Sequence, residues 1–177
     1  MLRSLITRRP LGSFVVINYL ISWTFLYPCY QAILNAEEGT FPPLALIGLI
    51  GAFGPTLAAI IVEGVLKGKQ GIRALLRKAG IWRVGWYWYA FVLAAPFALY
   101  GVAVWSSVLF GFQLGPSNLR DGFGSVVPFF LLALPFGPMG EELGWRGFML
   151  PRLLQKYDMW RSSLLLGVVW TFWHIAS

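Results

Sequence analysis

The chain has 177 residues, of which 58% are hydrophobic, 17% aromatic and 12% charged, with a mean hydropathy of +0.68 and a formal net charge of +7. A soluble domain carries about 25% charged residues, so a water-soluble globule is excluded and an integral membrane protein is implied, with lipids as its first partners. The bases lie between apolar runs and not on one polar face, so no nucleic-acid partner is expected.

Five apolar runs follow in chain order, at about 11–33, 44–66, 86–112, 126–150 and 162–177. A helix needs about 20 residues to cross a bilayer core, which makes the fifth run incomplete as a span. In lipid only helices and closed barrels satisfy their backbone, and none of the runs alternates as barrel strands do. The expected fold is an all-α, multi-helix transmembrane bundle forming a single membrane domain.

Arg3, Arg8 and Arg9 precede the first run as they would in a signal peptide, but the run is too long and no A-x-A site follows. It reads as a retained anchor. With Cys29 as the one cysteine, no internal disulfide forms. In the second run Gly48, Gly51 and Gly54 recur every third residue, which predicts a smooth face for close helix contact. Pro55, Pro96, Pro128, Pro135 and Pro138 are candidate kinks.

Residues 67–85 form a basic linker in which Ile72, Leu75 and Leu76 stand at helical spacing among lysines and arginines. That pattern predicts an amphipathic helix along the inner membrane surface, drawn to anionic lipid. Trp82, Trp86, Tyr87, Trp88 and Tyr89 are placed for an interfacial aromatic belt. If the runs alternate across the bilayer, every lysine and arginine but Arg120 falls on one side. The positive-inside rule then makes this a multi-pass protein of the cell membrane with a cytoplasmic amino terminus.

The fourth run carries Glu141 and Glu142 near its end, and Phe148, Met149, Leu150, Leu153 and Leu154 extend its apolar character beyond them. At 1.5 Å per residue, Glu141 is expected about 10–20 Å from the cytoplasmic boundary. Ionisable groups at that depth are functional by default and need partners. Glu142 and Arg146 are i and i+4 and share a helix face, so a buried ion pair is expected there. Glu141, about 100° around the helix, is left to face a cavity. Glu63, near the cytoplasmic end of the second run, is expected to be solvated. A transporter's proton relay would need charges in several helices, so this pattern weighs against transport.

His174, the one histidine, enters the fifth run to a depth of about 15–20 Å, level with the glutamates. A carboxylate and an imidazole around one water form a general-base arrangement. The same pair, Glu141 and His174, could instead hold a zinc ion.

EELGWRG followed by WTFWH resembles the CPBP family, the CAAX-processing and bacteriocin-processing (Abi) intramembrane endopeptidases that include the eukaryotic Ras-converting endopeptidase. The E-E-x-x-x-R motif falls on Glu141, Glu142 and Arg146, and GWRG and LPRL flank it typically. The F-x-x-x-H motif falls on His174, with Trp170 in place of its phenylalanine. The resemblance covers residues 125–177 as a partial family core. It implies a membrane bundle with a cavity open to cytoplasm and lipid, in which Glu141 activates water, His174 assists, and Glu142 and Arg146 support the geometry. The implied substrate is a membrane-associated, prenylated or otherwise hydrophobic peptide; the implied cofactor is zinc or none. A third motif, a second histidine followed four residues on by asparagine or aspartate, is also implied. No second histidine is present and Ser177 falls inside the fifth run. The expectation is therefore a chain cut before that motif, or a non-catalytic remnant. The alternative from another class is a non-catalytic membrane protein such as a bacteriocin self-immunity factor.

Overall fold

The computed structural model describes residues 2–37, 40–112, 134 and 138–176. Among these residues all regular structure is helical and no strand occurs. The protein is an all-α membrane protein. Among the described residues two helices are long and apolar enough to cross a bilayer, and a third span is added if a helix pair bent by 45° is taken as one. The chain divides into two units, one of residues Met1–Gly80 with Leu132–Ser177 and one of Ile81–Leu131.

In the first unit, α1 (Leu2–Arg8) leads into α2 (Pro10–Leu34), where Pro10 occupies the start, the position at which its missing N–H costs nothing. At 25 residues α2 is about 37 Å long, enough for the hydrocarbon core. The second apolar run is not one straight helix. A 3-10 turn (Pro43–Ile47) and α3 (Gly48–Ala52) precede α4 (Gly54–Arg77), with the bend at Phe53.

Pro55 causes that bend. Lacking an N–H, it cannot donate to the Gly51 carbonyl four residues back. That carbonyl instead accepts the hydroxyl of Ser22 from α2 at 2.9 Å. The Gly48-Gly51-Gly54 face is the contact with α2. Cβ atoms added there would lie 2.4 Å from Cys29 Sγ, 2.6 Å from Leu26 Cγ and 1.9 Å from Ser22 Oγ. Between apolar helices in lipid there is no water to expel, so association rests on close packing and interhelical hydrogen bonds, and these three glycines supply the closeness.

Gly68 interrupts α4 with φ 60° and ψ −151°, a left-handed conformation that glycine adopts without penalty. Beyond it the chain folds back, so that Ile72 lies beside Gly64 and Gly71 lies against Glu63. The linker is therefore a turned helical arm up to Arg77, not one continuous surface helix. Leu75 is buried at 2% exposure in the protein core, while Lys67, Lys69, Arg73, Leu76 and Arg77 are exposed. The turn at Gly68 aims Leu75 at Gly147, where an added Cβ would lie 3.3 Å from Leu75 Cδ1.

The fourth apolar run is described from residue 138 onward, apart from Leu134. Its earlier part, with Pro128 and Pro135, lies outside the described residues. A short α6 (Pro138–Glu142) passes into a π-helical segment (Leu143–Met149) and then α7 (Leu150–Leu154). Pro151 repeats the device used by Pro55. It cannot donate to the Gly147 carbonyl, and that oxygen accepts Lys78 Nζ at 2.5 Å. The last helix, α8 (Met159–Trp173), starts three residues before the expected run because Asp158 caps it, accepting the Arg161 backbone N–H at 2.9 Å. A 3-10 turn, His174–Ala176, follows.

The core of this unit is aromatic. Phe14 of α2 stacks on Phe148 at 5.0 Å and meets Trp145 edge-on at 5.5 Å, and Trp145 meets Trp173 edge-on at 6.0 Å. Ala58, Ala59 and Val62 of α4 complete the cluster without exposure.

In the second unit, α5 (Trp86–Leu109) carries Pro96 within it. At its start the Tyr89 hydroxyl donates to the Trp82 carbonyl, and the Arg83 guanidinium lies 5.5 Å from the centre of the Trp82 ring.

Candidate active site

Three elements assemble around Glu141. The carboxylate stands at the end of α6, where the backbone changes to π-helical winding. Such segments are rare and are frequent at functional sites. Gly144 brings this segment against the bend in the second span: a Cβ there would lie 2.4 Å from the backbone carbon and oxygen of Pro55. A Cβ at Gly140 would lie 3.1 Å from the Phe53 ring. The kink that Pro55 creates and the two glycines that fit it thus place the carboxylate.

Two indoles then hold it. Trp145, fully buried, donates its ring N–H to Glu141 Oε2 at 2.9 Å, and Trp170 of α8 donates to the same oxygen at 2.8 Å. A buried tryptophan needs a partner for its N–H, and a carboxylate accepting from N–H donors is among the stronger arrangements available. Oε1 of Glu141 takes no hydrogen bond from the described residues.

Trp170 also reaches His174. Its backbone carbonyl lies 2.9 Å from His174 Nδ1. A carbonyl can only accept, so Nδ1 carries a proton and donates it there. The rings of Trp170 and Trp173 flank the imidazole edge-on at 4.4 and 4.7 Å. Glu141 and His174, 33 positions apart in sequence, are thus joined through one residue, Trp170.

The turn bearing Trp170 is fixed from α2. The Tyr19 hydroxyl donates to the Val169 carbonyl at 2.6 Å, and the Trp23 ring N–H donates to the Trp173 carbonyl at 3.0 Å. These two rings, one helical turn apart, stack at 4.9 Å. They grip α8 on either side of Trp170.

Glu142 and Arg146 form the ion pair expected from their spacing, but it is not buried: their side chains are 41% and 60% exposed. The reason is the direction of the winding. Trp145, Phe148 and Met149 take the inward face, and Arg146 is left outside. The buried pair lies elsewhere. Glu63, expected to be solvated, is 7% exposed and accepts Arg152 Nη2 at 2.6 Å. Arg152 also donates to the Phe148 carbonyl at 3.1 Å and lies 3.8 Å over the Phe148 ring. Sequence reasoning missed this pair, since 89 residues separate its members; the signal was two lone charges, each in an otherwise apolar segment. It also missed the indole donors, although Trp145 stands four residues after Glu141 and Trp170 four before His174.

The described residues do not by themselves make a zinc site. A catalytic zinc takes three protein ligands and a structural one four, and the described residues hold no group of three histidine, cysteine, aspartate or glutamate side chains that could share a metal. Oε2 of Glu141, moreover, already faces two N–H groups whose positive ends oppose a cation.

Comparison with known proteins agrees with the motif. The family described as Type II CAAX prenyl endopeptidase Rce1-like matches residues 123–177. A curated relative, CAAX prenyl protease 2 of Methanococcus maripaludis, is 33% identical over 70 residues, which cover 38% of this chain and 26% of that protein. The chain thus matches about a quarter of the length of that relative. The matched segment contains Glu141, both indoles that hold it, and His174; over this segment the chain is similar to the CAAX-protease (CPBP) family.

Proposed function

We propose that the chain carries the water-activating part of an intramembrane endopeptidase that cleaves prenylated or otherwise hydrophobic, membrane-associated peptides. The observation that carries this reading is the convergence of Glu141 and His174 on Trp170.

In the proposed reaction Glu141, oriented through Oε2, takes a proton from a water at Oε1. The resulting hydroxide attacks the scissile carbonyl carbon. His174, with Nδ1–H turned to the Trp170 carbonyl, uses Nε2 to orient that water or to steady the charge that develops. The proton held by Glu141 passes to the leaving amine as the C–N bond breaks. Glu142 and Arg146, on the outer side of the same segment, support its geometry. The residues present favour the carboxylate, without a metal, as the water activator. By the distribution of its bases the protein is a multi-pass protein of the cell membrane with a cytoplasmic amino terminus.

The test is Glu141→Gln in the full polypeptide, reconstituted in liposomes with a prenylated peptide. General-base loss typically costs about 10²–10⁴-fold in rate, so cleavage falls by that factor while protein level and peptide binding hold. His174→Ala falls comparably, and the double variant costs far less than the sum because both groups act on one water. Unchanged cleavage by Glu141→Gln would remove the assignment. Activity lost to a chelator and restored by zinc would replace the metal-free mechanism.

A further inference from the structure

The F-x-x-x-H pattern that this segment resembles would place phenylalanine four residues before the histidine, where this chain has Trp170. A phenylalanine fills space there; a tryptophan adds one N–H donor. That donor lies 2.8 Å from Glu141 Oε2, beside the Trp145 donor at 2.9 Å. We propose that Trp170 is a positioning residue for water activation, its indole N–H fixing the Glu141 carboxylate so that Oε1 presents to water.

Three observations converge on this role. Both indoles choose the same oxygen, which fixes the carboxylate plane and leaves the other oxygen for a ligand. Trp170 lies on α8 and Glu141 on α6, so the bond locks two helices whose relative placement decides how the base faces the imidazole. The same residue accepts from the imidazole through its carbonyl, so a shift of Trp170 moves base and histidine together. Trp170 is also held less by packing than by polar contact. Trp170 is 41% exposed, whereas Trp145 is fully buried, so its N–H can be removed without emptying the core.

The inference rests on the proposed role of Glu141, and the experiment separates the two. Trp170 is replaced by phenylalanine and, to keep the bicyclic shape, by 3-benzothienylalanine, in which sulfur replaces the N–H. Each is made in the otherwise unaltered full polypeptide and in Glu141→Gln, and cleavage of a prenylated peptide is followed in liposomes. A hydrogen bond to a charged group corresponds to about a 10- to 100-fold effect. We expect kcat to fall by that factor in both Trp170 variants, KM to stay within about two-fold, and the loss to vanish when Glu141 is already glutamine. Ultraviolet resonance Raman difference spectra between parent and Trp170→Phe should show a strongly hydrogen-bonded indole N–H band that weakens in Glu141→Gln.

An inactive Glu141→Gln beside a fully active benzothienyl variant overturns the role of Trp170 and leaves the protease reading intact. An equal loss in both backgrounds also overturns it, since Trp170 would then act elsewhere. A fully active Glu141→Gln removes the role of Glu141 as the base and the positioning role of Trp170 together. In that case the Raman band still decides whether the bond itself exists.

Discussion

At the scale of single residues, two ion pairs with similar chemistry have different consequences. Glu142 and Arg146 face outward, and exposed i,i+4 pairs are worth about 0.3–0.5 kcal/mol. Arg146→Ala should therefore leave thermal unfolding in detergent nearly unchanged, and any loss of cleavage should come from local geometry. Glu63 and Arg152 are enclosed, and removing one partner of a buried pair costs about 3–5 kcal/mol because the other charge stays behind. Arg152→Ala should lower the unfolding temperature sharply, and Glu63→Leu combined with Arg152→Leu should recover part of the loss. Equal stability of Arg146→Ala and Arg152→Ala would contradict the burial that separates them.

At the scale of elements, the site depends on a proline and a glycine meeting. Pro55 bends the second span, and Gly144 fits the bend with no room for a methyl group. The obstructing atoms are backbone, which cannot rotate away. Overpacking of this kind commonly costs about 1–3 kcal/mol, so Gly144→Ala should destabilise the protein and reduce cleavage by displacing Glu141. Gly167 is also helical, but nothing lies within 4 Å of an added Cβ, so Gly167→Ala should be tolerated. Gly68→Ala should destabilise despite equally open space, because its φ of 60° suits no side chain well. Stability measurements on the three variants should rank Gly167→Ala as mildest; equal stability of Gly144→Ala and Gly167→Ala would mean the two helices do not approach at Pro55. Pro55 and Pro151 share a further feature. Each frees a carbonyl four residues back, and a side chain from another element, Ser22 or Lys78, takes it. The prolines are visible in the sequence; their donors are not, because only the folded chain brings residues 22 and 78 to those oxygens.

At the scale of the whole molecule, the distribution of bases argues for orientation. A reporter fused after residue 40 should be external and one fused after residue 75 cytoplasmic; the reverse pattern would invert the topology proposed above. Composition and spacing were enough to place the protein in the membrane, to make it all-α and to single out Glu141, Glu142, Arg146 and His174, because hydropathy, helical period and motif spacing are local properties of the chain. The i,i+4 pairing of Glu142 with Arg146 was local too, and it was read correctly. Whether that pair is buried was not local. It depended on which side of a π-helical turn met Phe14 and Trp173, residues more than 25 positions away. For the same reason only the tertiary structure could reveal Arg152 as the partner of Glu63, turn Leu75 inward at Gly68, and set Trp145 and Trp170 on one carboxylate oxygen. Sequence spacing governs what a single helix can present. What meets it is decided when α2, α4 and α8 pack, since depth and partnership are properties of the assembled bundle.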